Sequence, residues 1–335
     1  MTPTLKDVAE RAGVSRSAVS RTFTDGASIS PKMRKKVEKA AAELGYRPNF
    51  LARSLTTRRT KLIGLVSNNF HNPIFLEVFD LFTRALQERG LRPLLVNLSN
   101  ETDPEHSVQM LTQYSVDGVI VASSTLPPAF SKAFKDKNIP VVNTFGRYAS
   151  SPDVHVVGID NVEAGRTAAR ELLARGYREL AFLGGPEQAT STQDRLKGFL
   201  EEIGKLPEAT VTLSFAEAYS FQAGRKEMLR LLETGHAQAY FCGDDVLSIG
   251  VLSAIRDAGL NVPQDIGIIG LNDMQMASWE GISLTTIHQP IKQIITSSVE
   301  LIAAMLEDPD RYPEARLFPC RVVERATLRP KLAAP

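Results

Sequence analysis

The sequence predicts an all-α helix-turn-helix headpiece followed by an α/β body of two Rossmann-like lobes. Three observations carry this. Short, well-capped helical segments crowd residues 1–47. Positive charge gathers in the same region: residues 1–60 hold 13 Lys/Arg against 5 Asp/Glu, while the rest of the chain holds 26 against 33. From Lys61 onward, short apolar runs alternate with amphipathic helical stretches, twice over. A length of 335 residues suffices for one small domain and one or two larger ones. With 43% hydrophobic and 23% charged residues, fibrous and disordered classes are excluded.

In the headpiece, Thr4 and Asp7 read as a capping box that starts a helix over Leu5 to Ala12. Leu5, Val8 and Ala9 face inward at spacings of three and four. Gly13 suits the left-handed turn that ends it. Ser15 caps a second helix from Arg16 to about Phe23, with Ala18, Val19 and Phe23 apolar. Ser30 and Pro31 open a third helix, which closes at Leu44 and Gly45. Two short helices about a glycine turn, braced by a third, form a unit whose second helix fits the major groove of DNA. Arg16, Ser17, Ser20 and Arg21 are exposed near its start. Arg can reach guanine in a bidentate fashion. A basic head on an acidic body points to a polyanion partner for the head alone.

In the body, strands are expected at Leu62–Val66, Pro93–Leu98, Val116–Ala122 and Val141–Phe145. Helices are expected at Ile74–Arg89 and after Asp103. A second series begins near Asn161, with a helix to Arg175. It continues with a strand at Leu180–Gly184, a helix at Asp194–Ile203, a strand at Ala239–Cys242, a helix at Val246–Ala258 and a strand at Ile266–Leu271. Strands alternating with helices imply parallel sheets covered on both faces.

Other chemistries find no residues. There is no Walker A motif, no G-x-G-x-x-G after a strand and no G-x-S-x-G elbow. His71, His106, His155, His236 and His288 lack metal-ligand spacing. Cys242 and Cys320 read as free buried thiols rather than a disulfide. No enzyme activity, cofactor or metal is expected. The N-terminus lacks an apolar signal core and no segment has the length to cross a bilayer, so the expectation is a cytoplasmic protein with no membrane partner.

The runs Leu5-Lys6-Asp7-Val8-Ala9, Ala12-Gly13-Val14-Ser15 and Val19-Ser20-Arg21 resemble the headpiece of the lactose-repressor (LacI/GalR) family. Leu44-Gly45-Tyr46-Arg47-Pro48-Asn49 and Ala52-Arg53-Ser54-Leu55 resemble its hinge. The resemblance continues through the chain. It implies a transcription repressor that binds a palindromic operator as a homodimer, under control of a small effector acting as an inducer. It implies a headpiece at 1–47, a hinge and linker at 48–60, and a periplasmic-binding-protein-like body at 61–335. The N-lobe would span about 61–160 and 290–321, and the C-lobe about 162–288 and 324–335. The three crossings between lobes would fall near Asp160–Val162, His288–Ile291 and Arg321–Glu324. Asn49 to Leu55 would form a short helix only when paired on DNA, with Leu55 wedged between base steps. A plain linker is the other reading of that segment. The candidate DNA contacts are Thr4, Lys6, Ser15, Arg16, Ser17, Ser20, Arg21, Asn49, Ala52, Arg53 and Leu55.

Ligands of open parallel sheets sit beyond the carboxyl ends of strands. Residues that follow the expected strands, with positions implied by the resemblance, give the candidate effector contacts. These are Asn72, Phe75, Ser124, Phe145, Arg147, Asp160, Arg195, Phe221, Asp244, Asn272 and Gln289. The set suits a sugar, polyol or sugar acid. Trp279 is a further aromatic candidate. Asp160 and Asp244 also read as helix caps, and Arg195 as a surface ion pair. The family often has Asp where Asn272 stands. Arg147 and Arg195 near one cleft suit an acidic sugar or a phosphate, with a neutral sugar or polyol slightly ahead. A cytosolic sugar-binding protein or sugar-converting enzyme without a DNA role is the alternative, which the basic headpiece opposes.

Overall fold

The computed structural model describes residues 3–24, 26–47, 59–98 and 104–332. The chain divides into two compact units, Met1–Thr60 and Lys61–Pro335.

The first unit holds α1 (Leu5–Ala12), α2 (Arg16–Thr22) and α3 (Pro31–Leu44). Local chemistry sets each boundary. Thr4 and Asp7 cap each other reciprocally at the start of α1. Gly13 takes φ 56°, a left-handed turn that a side chain would strain. Ser15 accepts from Ala18 N, and Ser30 accepts from Met33 N. Gly45, at φ 66°, ends α3. Val8, Ala9, Ala12, Val19, Val37, Ala40 and Ala41 form the core. Phe23 and Tyr46 close one side with ring centroids 5.9 Å apart.

The second unit runs β1 (Leu62–Ser67), α4 (Ile74–Glu88), β2 (Arg92–Asn97), α5 (Pro104–Gln113), β3 (Gly118–Ala122), α6 (Pro128–Lys135), β4 (Val141–Thr144) and β5 (His155–Gly158). Then come α7 (Asn161–Leu173), β6 (Glu179–Gly184), α8 (Thr190–Ile203), β7 (Thr210–Phe215), α9 (Phe221–Thr234), β8 (Ala239–Cys242) and α10 (Asp245–Asp257). The chain finishes with β9 (Gly267–Asn272), a short 3-10 turn (Gln275–Ser278), β10 (Thr286–His288), α11 (Ile291–Glu307), β11 (Ala315–Leu317) and β12 (Arg321–Val323).

Two six-stranded sheets result, ordered β11-β5-β4-β3-β1-β2 and β12-β10-β9-β8-β6-β7. All neighbouring strands run parallel except β10 and β12, which are antiparallel. Their buried strands are apolar on both faces, as helix-covered parallel sheets require. The chain passes between lobes after β5, after β10 and after β11. The third crossing falls at residues 318–320, earlier than the expected Arg321–Glu324. The reason is pairing: Arg321 to Val323 already lie against His288 to Thr286 in the second sheet. One continuous apolar cluster joins the lobes, from Leu65 and Phe82 through Phe145, Ile159 and Ile291 to Phe182 and Phe241.

Candidate functional site

The strand ends of both sheets meet at one cavity of about 490 Å³ of space between atoms, part of it open to solvent. Small-molecule sites commonly span roughly 300–1,000 Å³. The loop after β1 supplies Asn69 and Asn72, and α4 supplies Ile74, Phe75 and Val78. Ser124 follows β3 and Phe145 follows β4. From the second lobe come Asn161, Arg195, Tyr219, Asp244 and Asn272; Gln289 and Ile291 lie at the second crossing.

Two backbone features aim these groups. Phe145 sits at φ 66°, turning the chain sharply after β4. The next residue, Gly146, cannot carry a side chain, because a Cβ there would lie 2.3 Å from Asn143 Nδ2. At the end of β9, Asn272 and Asp273 both hold positive φ, at 123° and 58°. Asn and Asp tolerate that region better than most residues.

A hydrogen-bond network ties the polar wall together. Asp244 caps α10, its Oδ1 accepting from Val246 N at 2.8 Å. Its Oδ2 accepts from Asn72 Nδ2 at 2.9 Å and from Asn272 Nδ2 at 2.8 Å. Both sequence readings of Asp244, cap and cavity residue, are therefore satisfied at once. Gln289 Nε2 donates to Asn272 Oδ1 at 2.6 Å. Arg195 donates from Nε to Asn161 Oδ1 at 2.8 Å, and from Nη1 to the Gly243 carbonyl. Arg195 is only 5% exposed, which rules out the surface ion pair. Burial raises the Asp244 carboxyl above its ordinary range, opposed by the Val246 N–H, Asn72, the Arg195 charge and Asn272.

Below this network Asp245 accepts from Thr286 Oγ1 at 2.5 Å and Met274 N at 2.8 Å. Burial pushes it up to about 7. Asp273 pairs with His288 at 3.0 Å and with Arg325 at 2.6 Å.

Of the eleven expected effector contacts, Asn72, Phe75, Ser124, Phe145, Arg195, Asp244, Asn272 and Gln289 line the cavity. Three do not. Arg147 turns away to pair with Asp194 of α8, at 2.7 and 2.9 Å, and with the Thr190 carbonyl at 3.2 Å. Asp160 spends its carboxylate on the N-terminus of α7, accepting from Val162 N and Glu163 N. Phe221 opens α9 and packs against the apolar core. Trp279 is 53% exposed and also lies outside the lining. Sequence reasoning missed Tyr219, whose hydroxyl bonds Thr192 at 2.7 Å. Its signal was Gly185, where a Cβ would meet the Tyr219 ring at 2.4 Å.

In the first unit, Thr4, Lys6, Ser15, Arg16, Ser17, Ser20 and Arg21 are all exposed. Lys6 also stands 3.7 Å from Glu10, both well exposed. Asn49, Ala52, Arg53 and Leu55 lie outside the described residues. Cys242 and Cys320 are free, and burial pushes their thiols up to about 12 and about 11. Among the described residues no cluster of three metal-ligating side chains occurs, and no helix is long and apolar enough to cross a membrane.

Comparison with known proteins gives these features a lineage. The family described as bacterial regulatory proteins, lacI family, matches residues 4–49, and the periplasmic binding protein-like domain matches residues 169–328. The HTH-type transcriptional repressor PurR of Escherichia coli O139:H28 (strain E24377A / ETEC) is 31% identical over 333 residues, covering 97% of this chain and 96% of that protein. The lac repressor dimer bound to operator and the anti-inducer ONPF matches with a TM-score of 0.88 at 25% identity, over 98% of this chain and 100% of that one. A complex of the transcriptional regulator CelR with cellobiose matches at 0.72 and 26% identity, over 97% and 99%. These relatives are regulators, not enzymes. The chain belongs to the lacI family of bacterial regulatory proteins, as a DNA-binding transcriptional repressor with a periplasmic-binding-protein-like effector domain.

Proposed function

We propose that this repressor acts in the cytoplasm as a homodimer on a palindromic operator, and that a sugar-sized polar ligand between the lobes of the body lowers its operator affinity. The observation that carries this is the bond from Asn72 to Asp244, which joins the two lobes across the cavity. A ligand that takes either side chain must break that link. Binding therefore favours one arrangement of the lobes over another, and only such differential affinity can shift an equilibrium. The segment at 48–58 joins body to headpiece, so the shift has a covalent route to the DNA-reading unit.

On DNA, the exposed start of α2 presents Arg16, Ser17, Ser20 and Arg21 to base edges. Thr4, Lys6 and Ser15 flank them, and Asn49, Ala52, Arg53 and Leu55 serve the minor groove between the half-sites. Two headpieces demand a two-fold operator. The test is selection from random duplex DNA with the full chain, followed by binding at several salt concentrations. A palindromic site whose affinity falls steeply with salt is expected, because phosphate contacts release counterions. A single asymmetric half-site, or an affinity indifferent to salt, rejects the reading.

A further inference from the structure

The polar wall of the cavity has hydrogen-bond donors to spare and few acceptors. Three amide oxygens are already taken. Asn72 Oδ1 accepts from Ile74 N at 3.2 Å, Asn161 Oδ1 from Arg195 Nε at 2.8 Å, and Asn272 Oδ1 from Gln289 Nε2 at 2.6 Å. These amides cannot turn over. An inverted Asn161 would set its NH₂ against a guanidinium, which cannot accept. An inverted Asn272 would set its oxygen against the Asp244 carboxylate and its NH₂ against the Gln289 NH₂.

Asp244 is the one carboxylate among the lining residues, and three N–H groups already occupy its two oxygens. Arg195 is the one cation in that lining. It is nine-tenths buried, and its Nη2 makes no hydrogen bond with any described residue. The cavity thus turns an unmatched guanidinium face and the Asn161 NH₂ toward whatever it holds.

Each hydroxyl of a neutral polyol donates as well as accepts, so it needs acceptors in the wall. A carboxylate only accepts, and it matches the fork of a guanidinium through two parallel bonds. One cation fits a monoanion better than a phosphate dianion. The opposite wall, with Phe75, Phe145, Val78 and Ile291, suits the C–H face of a ring.

We infer that the effector is a sugar acid, a uronate or aldonate whose carboxylate seats on Arg195 and Asn161. This rests on the cavity being the effector site. Asn272, standing where the family often has Asp, fits the same reading by removing a second carboxylate from the wall.

The test uses the full chain in calorimetry and thermal unfolding with D-galacturonate, D-glucuronate and D-gluconate. D-galactose, D-glucose and D-glucitol are the neutral partners, and D-glucose 6-phosphate the dianion. At least one acid is expected to bind about 10-fold or more tightly than its neutral partner, the effect of one charge-assisted hydrogen bond. Arg195→Gln should abolish that preference, and Arg195→Lys should keep part of it. The inference is overturned if a neutral sugar binds as tightly as its acid, if the phosphate is preferred, or if no acid in the panel binds. A neutral sugar that binds and changes operator affinity leaves the cavity as effector site and removes only the acid. An acid that binds Arg195→Gln as tightly as wild type lies elsewhere, and then both readings fail.

Discussion

Asn72 and Asp244 lie 172 residues apart in sequence and on opposite lobes, yet their side chains meet at 2.9 Å inside the cavity. Both are buried. The amide and the carboxylate hold the lobes together through the groups that a ligand must contact.

Removing this link should be measurable without any ligand. Asn72→Ala leaves Asp244 Oδ2 with one buried donor in place of two. A hydrogen bond to a charged group contributes about 1.5–3 kcal/mol. Urea unfolding should show a loss near the lower end of that range, because burial has already raised the Asp244 carboxyl toward its neutral form. Stability equal to wild type would show that the bond does not form in solution.

Arg147 and Asp194 form a second tie between lobes, at the rim of the cavity. Their side chains are 36% and 17% exposed, so solvent screens the pair. A double-mutant cycle with Arg147→Ala and Asp194→Ala should give a coupling of about 0.5–1 kcal/mol. Because the pair bridges lobes, each variant should also alter ligand affinity, although neither residue touches the cavity lining. Additive effects would mean that the pair is not made.

The placement of Arg195 depends on two glycines. A Cβ at Gly165 of α7 would lie 2.0 Å from the Arg195 carbonyl, and one at Gly198 of α8 would lie 1.8 Å from the Val162 carbonyl. The two helices touch backbone to backbone. Gly165→Ala should cost about 1–3 kcal/mol of stability through overpacking and weaken ligand binding by displacing α8. Unchanged calorimetry would contradict this packing.

Asp245 should give stability a pH dependence of unusual sign. Its carboxyl is raised from 3.8 to about 7 by burial, with Asp244 and Asp273 adding to the rise and Thr286 and Met274 opposing it. The folded state therefore holds a proton that the unfolded state releases. Stability is greatest below the ordinary carboxylate range, falls as pH rises from about 4 to about 7, and levels off above. Asp245→Asn should flatten this slope. Urea midpoints compared at about pH 5 and about pH 8 check it. A slope as steep in the variant as in wild type assigns the effect to other groups.

The capping signals that bound α1, α2 and α3 were legible because they act within four residues of chain. The central strands were legible as short apolar runs. The elements that escaped are defined by distant partners. β7 alternates Thr and Ser with apolar residues at a sheet edge, and β10 to β12 are three residues each, identifiable only from pairing. For the site, strand ends indicated the right edge of each sheet but not the direction of each side chain. Arg147 is carried away by the turn at Phe145 and Gly146, and Asp160 is claimed by the N–H groups of α7. Tyr219 was hidden because it follows β7, a strand the periodicity did not reveal.

Base reading should rest on Arg16 and Arg21, both exposed on α2. Alanine at either should weaken operator binding by roughly 1–3 kcal/mol if the side chain is bidentate to a base, and relax sequence choice at that position. Loss that is uniform over all base substitutions would assign the residue to phosphate instead.

Operator affinity of the full chain, measured with and without a saturating ligand of the body, tests the regulatory role most directly. Coupling free energies between sites are typically about 1–3 kcal/mol, or roughly 5–150-fold. The expected result is a loss of operator affinity within that range, with operator DNA weakening ligand binding by the same factor. Operator affinity that stays the same at saturating ligand would contradict control from the cavity, and affinity that rises would make the ligand a corepressor rather than an inducer.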